Sequence, residues 1–169
     1  MSSVTTTPTT ITRRPILLVD ASEREQRSFL GDAVTVLATG GDTAERYAIL
    51  ELVLAPGTAT PLHRHRADEE SFVVLYGEIV VQAGDQSPVR IGAGGFVHVP
   101  AGMSHALRVP DTDSARILNI TTPGHERFVR AAGLAGPGPA LVTPQDEARL
   151  MAAADAYGTE ILGPPPAYD

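Results

Sequence analysis

Short runs of alternating apolar and polar residues fill the middle of the chain, and glycine or proline separates most of these runs. Alternation with a period of two is typical of strands that bury one face. The runs predict strands at residues 34–38, 47–54, 62–65, 70–76, 78–82, 89–91, 95–99, 105–109 and 115–121. About eight to ten short strands with such punctuation predict an all-β fold, either a barrel or a jelly roll.

The segment before these strands has a weaker pattern. Residues 1–14 are rich in serine and threonine without periodicity, which predicts a flexible N-terminal arm. Residues 16–19 are apolar and predict a short strand. Residues 22–30, closed by Gly31, predict one or two helical turns.

Helices are otherwise predicted only late in the chain. Residues 125–132 predict a short helix, and Thr143 followed by Pro144 is typical of the start of a second one. The second helix carries an apolar stripe formed by Leu150, Met151, Ala154 and Tyr157. We therefore divide the chain into an arm (1–14), a barrel (15–133) and a C-terminal linker, helix and extended tail packed on the barrel (134–169).

The amino-acid composition excludes several classes of partner and of catalytic chemistry. A chain of 169 residues is long enough for one domain with a substantial core. Its net charge of −7 argues against nucleic acid or an anionic membrane as a partner. All 13 basic residues are arginine and there is no cysteine, which excludes lysine Schiff bases, thiol nucleophiles and disulfides within this chain.

No apolar run approaches the ~18–20 residues that a membrane span needs. Arg13-Arg14 resembles the start of a twin-arginine signal, but the apolar run behind it stops at Val19 and charged residues follow. A cytoplasmic location is therefore the expectation.

Two histidines, a glutamate and a third histidine carry the strongest chemical signal: His63, His65, Glu70 and His105. Neutral imidazoles and a carboxylate are good ligands for a divalent transition metal. Residues i and i+2 of a strand face the same side, so His63 and His65 can enter one cavity while Arg64 points away. Glu69 also fits the spacing, but strand alternation sends it to the opposite face from Glu70, which is the preferred ligand.

These residues identify a resemblance to the cupin superfamily, whose two motifs are G-x5-H-x-H-x(3,4)-E-x6-G and G-x5-P-x-G-x2-H-x3-N. The first motif is complete from Gly57 to Gly77, and the second runs from Gly94 to His105 with Val109 in place of its asparagine. Further stretches resemble the bacterial single-domain cupins that are similar to quercetin 2,3-dioxygenases. Residues Val73 and Tyr76 depart from that group, which weakens any transfer of its flavonol specificity.

The resemblance implies a jelly-roll barrel that holds one Fe, Ni, Mn, Co or Zn ion through His63, His65, Glu70 and His105. It further implies a dioxygenase of a flavonol-like enol or phenol, with Glu70 as the catalytic base and dioxygen as co-substrate. The alternatives are an oxygen-independent cyclase, isomerase or dehydratase of a polyketide- or sugar-like carbonyl compound, and a non-catalytic ligand-binding cupin. A homodimer formed through residues 15–40 is also expected by resemblance.

The remaining predictions concern the surroundings of the metal ligands. The candidate substrate pocket consists of Phe72, Val74 and Tyr76, which share strand parity with Glu70, and of Met103 in the turn before His105. For the three strand residues, ordinary barrel core is the alternative. Arg64 and Arg66 are expected to form salt bridges on the outer face. His98 is expected to face outward or to support the site, and His125 is expected to cap a helix or to lie at the surface.

Overall fold

The computed structural model describes residues 16–138 and 142–167, so the predicted arm at residues 1–14 lies outside the described residues. The described residues contain twelve strands: β1 (Glu25–Phe29), β2 (Asp32–Ala38), β3 (Ala48–Leu54), β4 (Leu62–His65), β5 (Glu70–Tyr76), β6 (Glu78–Ala83), β7 (Val89–Gly92), β8 (Phe96–Val99), β9 (His105–Arg108), β10 (Ala115–Thr121), β11 (Leu134–Ala135) and β12 (Thr159–Gly163). They also contain two α-helices, α1 (Pro123–Ala132) and α2 (Pro144–Tyr157). The division of the chain at residues 14 and 133 stays a prediction.

The strands form two antiparallel sheets that build a jelly-roll barrel, as the sequence predicts. The larger sheet has the order β11-β1-β2-β3-β10-β5-β8 and the smaller one the order β12-β4-β9-β6-β7. Gly77 joins the two sheets between β5 and β6 at a φ of 72°, where a β-carbon would lie 2.2 Å from the carbonyl oxygen of Ser114. Only glycine fits this turn, because a side chain there meets both backbone strain and a clash.

Alternating burial places the core between the sheets. Strand β10 illustrates the pattern, since Ala115, Ile117, Asn119 and Thr121 are buried while Arg116 and Ile120 are exposed. The central cluster consists of Leu54, Phe72, Val74, Ile79, Val81, Val99, Leu107, Val109, Ala115 and Ile117. A second cluster, with residues from both helices, packs on β2 and β3: Val34, Val36, Leu50, Phe128, Val129, Ala132, Ala153 and Ala154.

The structure corrects the predictions for the N-terminal segment. Residues 16–19 form no strand, and the side chains of Ile16 and Leu18 are exposed. Residues 22–30 form no α-helix, because a single 3-10 turn at Ala21–Glu23 leads directly into β1. Strand β1 pairs with both β2 and β11, and these backbone hydrogen bonds between strands replace those of a local helix.

The C-terminal segment contributes more to the barrel than expected. Residues 159–163, predicted to lie within a linker, helix and tail region, form strand β12 and pair with β4. The capping box of Thr143 and Asp146 starts α2 as predicted, but Met151 and Tyr157 of the predicted stripe are exposed and Ala153 joins Ala154 in the core. Neither described helix is long and apolar enough to cross a membrane.

Candidate metal centre

Four predicted ligand residues meet inside the barrel. His63 and His65 lie on β4, His105 pairs with His63 from β9, and Glu70 begins β5. One ligand atom from each of the four lies within 4.8 Å of the others. Alternation along β4 turns Arg64 outward, where it and Arg66 pair with Glu160 as predicted. Each ligand residue is therefore placed by strand geometry.

Hydrogen bonds at Nδ1 orient each imidazole ring and leave its Nε2 as the nitrogen that faces the cluster. Nδ1 of His63 lies 2.8 Å from the carbonyl oxygen of Pro61, and Nδ1 of His105 lies 3.1 Å from that of Met103. A carbonyl only accepts, so Nδ1 donates in both rings and the neutral ring keeps its lone pair on Nε2. Nδ1 of His65 lies 3.0 Å from Oγ1 of Thr159, which can accept in the same way.

The free nitrogens face the carboxylate of Glu70. Nε2 of His105 lies 3.2 Å from Oε2, and Nε2 of His65 lies 3.5 Å from Oε1. Nε2 of His65 is buried and has no hydrogen-bond partner among the described residues. Because lone pairs that face one another repel, this arrangement requires a proton or a cation between them. The donor set therefore fits a divalent transition metal.

Burial and mutual repulsion set the protonation of the cluster. Burial lowers the pKa of His63 to about 4 and that of His65 to about 3. For His105, burial works in the same direction, but the hydrogen bond to Glu70 outweighs it and raises the pKa. Burial alone would raise the pKa of Glu70, yet the surrounding imidazoles, first of all His125, lower it well below its usual range. At neutral pH the centre therefore has an ionised carboxylate and at least two neutral imidazoles.

A cavity that is open to solvent lies beside the cluster. His63, Glu70 and His105 line one part of it together with Asn119 and His125. Its apolar wall includes Phe29, Leu52, Leu54, Phe72, Leu107 and Ile117. An apolar chamber with a few convergent polar groups is typical of sites for small organic molecules.

The four predicted pocket residues do not share one location. Phe72 lines the cavity, whereas Val74 is buried in the central core. Tyr76 is 54% exposed and donates its hydroxyl hydrogen bond to Asp113, and Met103 is 40% exposed in the turn before His105. Strand parity fails at Tyr76 because the pairing of β5 with β10 shifts register between Arg116 and Ile117.

The structure also corrects the prediction for His125, which is buried beside the cluster. Its Nε2 lies 2.5 Å from Oε1 of Glu70, and its ring centroid lies 4.5 Å from that of His65. A helical pattern carries the missed signal, because His125, Phe128, Val129 and Ala132 form an i, i+3, i+4, i+7 stripe that is buried throughout. His98, by contrast, is exposed and contacts Ser71.

Sequence comparison gives one family and two curated relatives. Residues 50–121 match the family model described as a cupin domain. The matched range runs from within β3 to the end of β10 and includes all four predicted ligands. The chain is 29% identical over 108 residues to quercetin 2,3-dioxygenase of Bacillus subtilis (strain 168), an alignment covering 64% of this chain and 32% of that protein. It is 25% identical over 81 residues to mannose-1-phosphate guanylyltransferase 2 of Escherichia coli O157:H7, covering 48% and 17%. The chain thus spans about a third or less of the curated relatives it matches.

Solved structures with the same fold include two bacterial enzymes. The polyketide cyclase RemF from Streptomyces resistomycificus aligns with a TM-score of 0.56 and 19% identity, over 78% of this chain and 89% of that one. Oxalate decarboxylase from Bacillus subtilis aligns with a TM-score of 0.52 and 22% identity, over 60% of this chain and 27% of that one. These similarities establish the architecture of the barrel.

Proposed function

We propose that this chain, whose barrel is a cupin domain, is a metal-dependent enzyme that acts on a small, largely apolar organic substrate. The finer proposal is a quercetinase-like dioxygenase of a flavonol-like enol or phenol, with the metal held by His63, His65, Glu70 and His105. One observation carries the proposal: three imidazoles and a buried carboxylate converge, and His63, His105 and Glu70 of this cluster line a largely apolar cavity. The resemblance to the quercetin dioxygenase adds support.

The chemistry is divided between the polar and the apolar parts of the cavity. A bound divalent transition metal supplies Lewis acidity and, in the case of iron, nickel or manganese, redox chemistry towards dioxygen. Phe72, Leu107 and Ile117 exclude water and orient an aromatic or aliphatic body. Glu70, ionised and buried, takes the proton of an enol or phenol that enters with its hydroxyl towards the histidines.

A second candidate keeps the metal but needs no dioxygen. The contact of 2.5 Å between Glu70 and His125 favours it, because an adjoining carboxylate and imidazole can take a proton and return it within one turnover. Such a pair suits a cyclase, isomerase or dehydratase of a polyketide- or sugar-like carbonyl compound. A non-catalytic ligand-binding cupin is the remaining alternative.

The test begins with metal content by elemental analysis of protein purified without chelating resin or added metal. We expect about one equivalent of Fe, Ni, Mn, Co or Zn per chain, and we expect the His63→Ala/His65→Ala variant to lose it, as is typical for a site of four protein ligands. The Arg64→Ala variant is the matched control, because Arg64 lies on the same strand and points outward. A wild-type chain that takes up none of these ions on reconstitution would overturn the metal-dependent proposal.

Dioxygen uptake then separates the candidate reactions. Consumption of dioxygen with flavonols or related enols supports the dioxygenase, and product formed equally well without air supports the oxygen-independent enzyme. A bound compound that returns chemically unchanged in the presence of both metal and air supports the ligand-binding cupin. Each outcome excludes the other two for the compound tested.

We also propose a homodimer that uses residues 15–40. Within this range, β1 lies next to the edge of the larger sheet, and the apolar side chains of Ile16 and Leu18 are exposed. Exposed apolar groups beside a sheet edge favour association with a second copy. Light scattering on the wild-type protein and on an Ile16→Glu/Leu18→Glu variant tests this proposal. We expect a dimer for the wild type and a monomer for the variant, and a wild type with the mass of a monomer would refute it.

A further inference from the structure

The first residues of α1 are held against the start of β5, next to the candidate metal centre. Thr121 and Thr122 hydrogen-bond to the backbone of Glu69, and Thr122 also donates to the carboxylate of Asp68. Gly124 allows the close approach, because a β-carbon there would lie 2.4 Å from Oδ2 of Asp68. The helix start and Glu70 therefore occupy fixed positions relative to each other.

His125 uses this position to bind one oxygen of Glu70. Its Nε2 lies 2.5 Å from Oε1, and because a carboxylate oxygen accepts, Nε2 donates. Asn119 approaches the same oxygen with Nδ2 at 3.5 Å, while Oε2 faces His105 at 3.2 Å. The two oxygens of Glu70 thus have different surroundings: Oε1 is held most closely by His125 on the helix and lies 3.5 Å from Nε2 of His65, whereas Oε2 faces His105.

The packing around His125 does not by itself require a histidine. The ring contacts Phe128 and His65, so an aromatic hydrocarbon side chain would fill the same space. Nδ1 of His125 is buried without a hydrogen-bond partner among the described residues. An unpaired buried nitrogen destabilises the folded state, and a phenylalanine would avoid this loss. The gain that offsets it is the hydrogen bond from Nε2 to Glu70.

We propose that His125 is a positioning residue for Glu70: its hydrogen bond to Oε1 fixes the orientation in which the carboxylate faces the three histidines that would hold the metal. The role rests on the proposed metal centre and adds a residue to it that lies outside the two cupin motifs. His125 acts through Glu70 and is not itself one of the four ligands, whose donor atoms cluster within 4.8 Å. Partners that orient metal ligands in this way typically contribute about 10–100-fold in metal affinity.

The test uses Co²⁺ as the probe, with affinity from competition with a chelator and coordination from the visible absorption spectrum. We expect His125→Phe to weaken Co²⁺ binding by about 10–100-fold and to change the spectrum, because the carboxylate is free to rotate. His125→Gln keeps an N–H donor near the position of Nε2, so we expect it to restore most of the affinity and the wild-type spectrum. Thermal unfolding of each metal-free variant confirms that the chain is folded.

A double-mutant cycle with Glu70→Ala separates positioning from simple packing. If His125 acts through Glu70, His125→Phe has little further effect on Co²⁺ affinity once the carboxylate is gone. Equal effects in both backgrounds, or wild-type affinity and spectrum in His125→Phe, would overturn the positioning role while leaving the metal centre intact. Loss of one imidazole ligand in His125→Phe by X-ray absorption would also overturn it. Absence of Co²⁺ binding by the wild-type chain would instead refute the proposed function itself.

Discussion

Acid is expected to destabilise the metal-free chain well before the carboxylates titrate. His63 and His65 have pKa values of about 4 and about 3 in the folded chain, against about 6.5 for an exposed histidine. At pH values between about 4 and about 6.5, these two histidines bind protons in the unfolded chain but not in the folded chain. The free energy of unfolding therefore falls as the pH falls from 6.5 towards 4.

The size of the effect follows from these two shifts. Between pH 6.5 and pH 5, preferential protonation of the unfolded chain at both residues removes roughly 3 kcal/mol of stability. This is a large part of the ~5–15 kcal/mol that is typical for a domain. His105 has the opposite sign, since its raised pKa contributes stability that is lost as the pH rises above 6.5. Glu70, with its lowered pKa, adds a loss only below about 4.5.

Urea denaturation of chelator-treated protein, followed by far-ultraviolet circular dichroism at several pH values, measures the effect. We expect the His63→Gln/His65→Gln variant to lose much less stability between pH 6.5 and pH 5 than the wild type. His98→Gln removes an exposed histidine outside the cluster and serves as the matched control. A metal-free wild type that is equally stable at both pH values, or a double variant that loses as much as the wild type, would refute the reasoning.

Three further predictions concern the same centre. Glu70→Gln is expected to weaken metal binding by at least about tenfold in a chelator competition, whereas the neighbouring variant Glu69→Gln, on the exposed face, should bind as the wild type does. Gly124→Ala forces its β-carbon against Asp68, so we expect about 1–3 kcal/mol of destabilisation in urea and a displaced His125; unchanged stability and metal affinity would contradict this. A metal concentration of about 100 times the Kd should raise the free energy of unfolding by about 2.7 kcal/mol, and an unchanged urea midpoint would contradict binding to the folded state.

Local alternation was sufficient to predict most of the barrel. Strands β5 and β10 begin and end at the predicted residues, because β10 alternates between the core and the opposite face over its whole length and β5 does so from Glu70 to Val74. Residues 22–30 were predicted wrongly, since β1 is formed by pairing with β2 and with β11, the latter from a distant part of the chain. Strand β12 was missed for the same reason, because its partner β4 lies far away in sequence.

The candidate centre was partly accessible from the sequence. His63 and His65 share a strand face through parity, and the spacing of the two motifs brings Glu70 and His105 to them. His125 was not predicted as part of the site, because its contact with Glu70 depends on how α1 folds back across the end of β5. Parity along β5 predicts Tyr76 in the pocket, and this prediction is wrong because the register shift between β5 and β10 leaves no trace in the sequence of β5 alone.

The hydrogen bond between His65 and Thr159 has a consequence for the order of events during folding. The two residues are separated by 94 positions, so the environment of His65 is complete only after the C-terminal strand has been synthesised and docked. Contacts of such long range form slowly, because the chain between the two residues loses conformational entropy before the contact contributes any stability. When β10 has just emerged from the ribosome, the nascent chain contains all four predicted ligands but lacks the hydrogen bond from Thr159 to His65. Capture of the ion is therefore expected to follow barrel closure, unlike in small domains in which the metal nucleates the fold.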